Sequence, residues 1–346
     1  MRLLIMLTAS MLLFVSCENK NDSRSFNFIY SVEIESSNNK KLEMWIPIPQ
    51  TNEVQTISSL LIETDGLDYT IEYEKQFGNK YLYINHKGGT KDSRTINISF
   101  DVLRKEHSNV KYSNVDSDSY LSASRMIPVG GVFNTIIKEN NLAKDNIRGL
   151  YEYVLSGMHY GKPKSEDNIY YNAPWLTSDG EYGMKKVSRD EVVDLYKYAK
   201  STKGNYTFGN GNSLYACDIG VGNCTDYHSY FISLSRTLTA PARFHMGFSI
   251  SKEKEGKVGG YHCWADYFVD GEGWYPVDIS EADKNPDKAE YFFGTVCSDR
   301  FEMVVGRDFK LEGYGDQFVN LFIYPLMEID DIKSNAFNKS FSYVDK

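Results

Sequence analysis

The chain has 346 residues, 41% hydrophobic and 25% charged, with a net charge of -9 at neutral pH. This length fits about two domains, and the composition is that of a folded globular protein. The acidic balance argues against nucleic acid as a partner, because binding a phosphate backbone needs a basic surface.

The first stretch, MRLLIMLTASMLLFVSC, sets basic Arg2 before an apolar run from Leu3 to Val15 and then small Ser16. The run is too short for a comfortable membrane span and has the layout of a targeting signal. It resembles a bacterial lipoprotein signal, in which a cysteine directly follows a small residue; Phe14 stands where Leu is usual. The resemblance implies that Cys17 is lipidated, that residues 18–24 are a tether, and that the chain meets a membrane through this anchor. An ordinary cleaved signal peptide is the other reading, and both export the protein. Four cysteines remain, Cys217, Cys224, Cys263 and Cys297. They are compatible with two disulfides, or with one disulfide and two thiols.

From Phe26 to about His107 the signal is strand. FNFIYSVEI alternates Phe26, Phe28, Tyr30, Val32 and Ile34; LEMWIPIP alternates Leu42, Met44 and Ile46; INISFDV alternates Ile96, Ile98, Phe100 and Val102. Period two with polar partners predicts half-buried antiparallel strands, separated by turns such as TDGLD and KGGTKD. The expected unit is a β-sandwich-type domain over 25–118. His86 and His107 lie in polar, turn-rich stretches and are expected at the surface.

After about Tyr120 the period changes. Ile147, Leu150, Tyr151 and Val154 have helical spacing, with Gly157 as a stop. A polar stretch over 161–186 precedes a short expected helix, with Ser188 and Glu191 as a capping box; together they suggest a lid or cleft wall. Next, TDYHSYFISLSRTLT carries Tyr227, Phe231, Leu234 and Leu238 in one apolar stripe, so a helix follows Cys224. APARFHMGFSI reads as a strand, YHCWADYFV-DGEG-WYPVDIS as a hairpin, and the C-terminal part as further strands. The whole of 119–346 is expected to be one α+β unit.

Cys224 directly precedes the helical stripe, and Gly222 and Asn223 allow a tight turn into it. A helix N-terminus carries partial positive charge and unpaired N–H groups, which favour a thiolate and can stabilise an oxyanion. A cysteine nucleophile also needs an imidazole and a group to orient it. His262 and Asp278 lie equally far from Asp270, at the turn signal Asp270-Gly271. A hairpin centred there sets the two directly opposite on one face, with Cα atoms about 4.5–5.5 Å apart. The same alternation puts Trp264 beside His262 and turns Cys263 to the other face, toward core.

These segments, GNCTDYHSYFISLSRTLTAPARFHMGF, GYHCWADYFVDGEGWYPVD and SEADKNPDKAEYFFG, resemble the core of the transglutaminase-like superfamily in its bacterial exported branch. Cys224, Arg236, Pro241, Arg243, His262, Trp264, Trp274 and Asp278 match the family pattern, with TAPAR in place of GIPAR; the match runs from about Tyr120 to Phe293. The resemblance implies a papain-like α+β domain after the sandwich. It gives Cys224 as nucleophile, His262 as general base then acid, and Asp278 as the orienting group. The family adds a side-chain oxyanion donor upstream of the cysteine, for which Tyr206 and Trp175 are candidates. Asn223 and Trp264 are further substrate-side candidates. Asp218 has the place of a loop-positioning residue.

A rival set, Cys217, Cys224, His228 and His262, offers zinc-type donors, but its spacing matches no familiar zinc pattern. No metal or other cofactor is expected. A non-catalytic binding module on the same fold is a second rival, set against an intact Cys-His-Asp set. The expected activity is hydrolysis of a peptide or other amide bond through a thioester. Transfer of the acyl group to an amine is the alternative; no calcium-loop pattern of crosslinking transglutaminases is present.

Overall fold

The computed structural model describes residues 23–161, 205–315 and 318–346, with the backbone of two short strands at Glu181–Tyr182 and Val187–Ser188. Trp175, most of the expected lid and the helix expected after Ser188 lie outside the described residues. Among those described, no helix is long and apolar enough to cross a membrane.

The alternating stretches form strands β1 (Ser23–Ile34), β2 (Leu42–Ile48), β3 (Gln55–Glu63), β4 (Tyr69–Tyr73), β5 (Lys80–His86) and β6 (Arg94–Lys105). In β1 and β6 the expected residues, Phe26 to Ile34 and Ile96 to Val102, are the buried ones. The second strand departs from alternation, because all seven residues of β2 are buried. It is the central strand of its sheet, and Trp45 on its far face is covered by Tyr83 and Tyr314 and donates its indole N–H to Glu312 O at 2.6 Å. His107 and His86 are half-buried, not exposed. The stretch beyond β6 pairs with the second half of the chain, His107 with Val296, which covers that histidine.

The boundary expected at 118 holds at only one end of the sandwich. The last strand, Phe337–Asp345, runs antiparallel along β1 from Phe26 opposite Asp345 to Ile34 opposite Phe337. The strand Leu326–Ile329 pairs with β2. Residues beyond about 325 therefore add strands to the sandwich. The physical reason is an edge: β1 is flanked by β6 on one side and would otherwise leave its other row of backbone groups unpaired.

The site is carried by a four-stranded antiparallel sheet, in the order Gly273–Val277, Tyr261–Val269, Ala242–Ser249, Arg300–Val305. Helix Cys224–Thr237 packs on it, and α1 (Val132–Glu139) and α2 (Ile147–Gly157) pack on that helix. Phe28 of the sandwich meets Phe248 and Phe301 of this sheet at ring distances of 5.2 and 4.7 Å. One apolar core thus joins sandwich and site, so the sandwich stiffens the strands that bear the polar residues.

Candidate active site

Before the nucleophile candidate, the short helix Ser213–Ile219 stops at Gly220, which takes the left-handed conformation with φ 65°. Val221 and Gly222 then run parallel to His159 and Tyr160. Glycine is required at 222: a Cβ there would lie 2.5 Å from Asp226 Cβ. Asn223 caps the next helix by accepting the Thr225 N–H at 2.9 Å, and donates its own N–H to the Asp226 carboxylate at 3.0 Å. This reciprocal cap is worth about 1 kcal/mol. Asp226 also accepts from the N–H groups of Gly209 and Gly211, each at 2.9 Å. Burial still pushes its carboxyl up to about 7.

Cys224 therefore opens the helix, with its sulfur buried and its own N–H without an acceptor among the described residues. One turn on, His228 donates from Nδ1 to the Cys224 carbonyl at 2.7 Å and accepts the Ile279 N–H on Nε2 at 3.0 Å. Both ring nitrogens are occupied, and burial lowers the imidazole to about 4, so His228 is neutral. This removes it from the rival zinc set. It works as a strut between the Cys224 turn and the Asp278 turn. We expect His228→Leu to cost about 2–4 kcal/mol in chemical denaturation, because it orphans a buried carbonyl and a buried N–H.

His262 and Asp278 meet, although by a different register from the one expected. Tyr267 faces Tyr275 and Val269 faces Gly273, so the hairpin is centred on Gly271, not Asp270. Gly271 and Gly273 both have positive φ, 75° and 118°, and these two residues set the turn. Continued past Val277, this register sets His262 two residues beyond the position opposite Asp278, on the same face. Asp278 has already left the strand to cap the helix Ile279–Lys284. Its carboxylate reaches back, with Oδ2 2.7 Å from His262 Nε2. Oδ1 accepts from Ser280 Oγ at 3.0 Å and from the Glu281 N–H at 3.1 Å. With Nε2 so occupied, Nδ1 is the nitrogen left for the thiol.

Arg300, which no local sequence signal marks, stands behind this pair. Its Nη1 lies 3.4 Å from Asp278 Oδ2 and its Nη2 3.3 Å from Glu281 Oε2. Burial raises the Asp278 carboxyl, but the charges of His262 and Arg300 outweigh it and hold it below the usual range. Burial and Arg300 push the His262 imidazolium down; Asp278 and Cys224 more than restore it, leaving its pKa raised. Cys224 is lowered well below an ordinary thiol by contact with the Cys263 thiol and, against burial, by the hydrogen bond and charge of His262. The arrangement favours a thiolate–imidazolium pair.

Trp264 is buried and stacks between two imidazoles, 5.5 Å from His245 and 6.5 Å from His262. Tyr206 donates its hydroxyl to Asp218 at 2.7 Å, and Asp218 lies on a helix rather than in a loop. The Asn223 side-chain carbonyl is taken by the cap. Arg236 at the helix end donates to the carbonyls of Ala242 and Ser122. Cys217, Cys224 and Cys263 are free thiols, so no disulfide joins any two of the four cysteines, and neither expected arrangement, two disulfides or one with two thiols, is present. Cys263 does turn to the face opposite His262, but the Cys224 helix packs on that face, so it sits against the nucleophile candidate.

Residues 176–279 match the model of the transglutaminase-like superfamily, a span that contains Cys224, His262 and Asp278. The chain carries a transglutaminase-like domain. An uncharacterized protein of Haemophilus influenzae is 24% identical over 92% of this chain and 89% of its own length. A solved structure of a proposed cysteine protease from Cytophaga hutchinsonii aligns over 93% of this chain and 92% of its own, with 12% identity and a TM-score of 0.54. At that identity the likeness is one of fold, and it spans both the sandwich and the transglutaminase-like part. The periplasmic domain of TgpA from Pseudomonas aeruginosa aligns over 78% of this chain and 92% of its own, at 12% identity and a TM-score of 0.31, too low to equate the two folds.

Proposed function

We propose that the protein is an exported cysteine hydrolase, lipid-anchored through Cys17, that cleaves a peptide or other amide bond. The observation that carries this reading is the buried line Cys224–His262–Asp278, with Cys224 at the first position of a capped helix and His262 Nε2 held 2.7 Å from Asp278. In the first step the Cys224 thiolate attacks the amide carbonyl and the oxyanion forms near the Cys224 N–H. His262 gives its Nδ1 proton to the leaving amine, and a thioester remains. In the second step His262 takes a proton from water, the resulting hydroxide adds to the thioester, and the acid leaves as the thiolate returns. Asp278 keeps the imidazole in one tautomer throughout.

A peptide-library assay on the chain from Ser23, with Cys224→Ala as control, tests this. The expected result is release of free acid by the native chain and none by the variant. Equal turnover by both would remove the assignment. Accumulation of an amine adduct in place of free acid would make the enzyme a transamidase.

A further inference from the structure

We infer that the cavity between segment 122–125 and the far end of the helix Cys224–Thr237 is an anion site, which takes a carboxylate or phosphate group against Arg236 and Arg307.

Charge does not balance in this cavity. It has a volume of about 280 Å³ and is lined by three arginines, Arg125, Arg236 and Arg307, and by one acid among the described residues, Asp308. Asp308 is spent on Arg125, accepting from its backbone N–H and Nη2 at 2.7 Å and from Nε at 3.0 Å. Arg236 and Arg307 are buried, and their hydrogen bonds among the described residues go to neutral groups. Arg236 donates from Nε and Nη2 to the Ala242 carbonyl, at 3.1 and 2.7 Å, and from Nη1 to the Ser122 carbonyl at 2.7 Å. A guanidinium has five N–H groups, so two of those on Arg236 remain. Arg307 is held by the carbonyls of Gly211 and Asn210, by Ser229 Oγ and by Asn320, and contributes charge. These partners orient two buried cations without neutralising them, a costly state.

A second observation points into the same space. Ser124 lines the cavity, and its Oγ is buried with no hydrogen-bond partner among the described residues. One oxyanion accepts from this hydroxyl and from the spare Arg236 N–H groups, and it neutralises the excess charge. The protonation states agree: burial lowers both Arg236 and Arg307 to about 10, and the charge of Arg307 adds to the effect on Arg236. The acids whose charge reaches Arg307 are Asp308 and Asp226, and Asp226 is occupied by three backbone N–H groups. Phe77, Phe244 and Phe318 wall the rest of the cavity. Its volume is near the lower end for small-molecule sites, about 300 Å³, so the fit is to an oxyanion on a short apolar stem. The site is separate from the catalytic one. Arg236 is twelve residues past Cys224 on one helix, about 18 Å along its axis.

The test is thermal melting of the intact chain from Ser23 in rising sodium phosphate or sodium propionate, against sodium chloride at equal ionic strength. The native melting temperature should rise saturably by a few degrees with at least one of the two, and which one acts tells a phosphate site from a carboxylate site. Ser124→Ala should shift the midpoint of that rise to about tenfold higher concentration, the scale of one hydrogen bond to a charged group. Ser124→Asp puts a carboxylate among the arginines. It should melt above the native chain without added anion and respond to neither salt. A purely structural role for the arginines predicts the opposite, a buried charge that lowers the melting temperature. General salt stabilisation does not saturate and acts on both chains alike. No saturable rise beyond the chloride control, or an equal rise in native chain and Ser124→Asp, overturns the inference. Should Ser124→Asp fail to fold, Ser124→Ala is read in its place, and an unchanged midpoint there is equally fatal. Melting reports the anion whatever reaction Cys224 performs, so this result stands apart from the hydrolase assay.

Discussion

Asp278→Ala is expected to lower turnover by about 10³–10⁴-fold, the scale on which a triad's orienting acid acts, and to destabilise the fold by about 3–5 kcal/mol. The kinetic loss follows from His262, whose Nε2 loses its only described partner, 2.7 Å away. The ring is then free to flip, and the imidazolium loses the charge that offsets burial and Arg300. With His262 neutral near pH 7, the thiolate loses its counter-ion, and the pH midpoint of iodoacetamide labelling at Cys224 should rise as well. The stability loss has a separate origin. Asp278 also caps the helix Ile279–Lys284, and it shares buried Arg300 with Glu281. Asp278→Asn separates the two effects. Its carbonyl oxygen can still accept from His262, so activity should fall less than in the alanine variant. Its amide N–H₂ then faces the Ser280 and Glu281 donors, so much of the stability loss should remain. Steady-state kinetics and urea melts on the two variants check both parts. An alanine variant with native turnover would exclude Asp278 from the reaction.

How much of this was legible in the sequence depends on how local each cause is. Strands β1 and β6 were readable because one face of each is buried, so their hydrophobic residues repeat with period two. The second strand hid part of its burial, because Trp45 is covered by a segment some 270 residues away in the chain, around Glu312. The same distance hid the closing strand: nothing within FNKSFSYVD says that its partner is β1 rather than a neighbour. Cys224, His262 and Asp278 could be found because the first marks a helix start and the other two share a hairpin. The register was wrong, yet the pairing survived, because moving the centre of the hairpin by one residue moves the position opposite Asp278 by two, which preserves the face.

Arg300 and Cys263 mark the limit from two sides. Arg300 reaches Asp278 from the strand Arg300–Val305, whose place in the sheet is set by tertiary pairing with Ala242–Ser249. Cys263 was assigned the correct face, but which helix covers that face is not written in the alternation. What a residue does at a site is decided there by packing between elements, and a single sequence exposes that only where the elements are adjacent.

The largest effect on stability alone is expected at Asp266, on the same face of the sheet as His262. Its carboxylate accepts from Arg243 Nε at 3.0 and 3.1 Å and from Arg243 Nη2, and its Oδ2 lies 3.1 Å from His245 Nε2. The guanidinium is enclosed between the rings of Tyr112 and Trp274, 4.3 and 4.2 Å from their centres, and His245 Nδ1 meets Glu302 at 2.6 Å. Asp266→Ala leaves the buried Arg243 guanidinium without its carboxylate partner, beside His245. We expect a loss of about 3–5 kcal/mol in denaturant melts. Arg243→Leu should cost less, because His245 stays beside Asp266 and the leucine fills space between the two aromatic rings. The pH dependence gives an independent check. Burial raises the Asp266 carboxyl, but Arg243 and His245 outweigh it and bring it down to about 2. A depressed carboxylate stabilises the fold above its unfolded pKa, near 4, and that contribution disappears as pH falls toward 2. Native protein should therefore lose stability more steeply across that acid window than Asp266→Asn, which has no such proton to take up. Parallel acid titrations would show that the pair is not what holds this end of the sheet. Trp264 stacks on His245 on one side and on His262 on the other. Loosening this cluster should also cost some turnover, through the position of His262 rather than through contact with substrate.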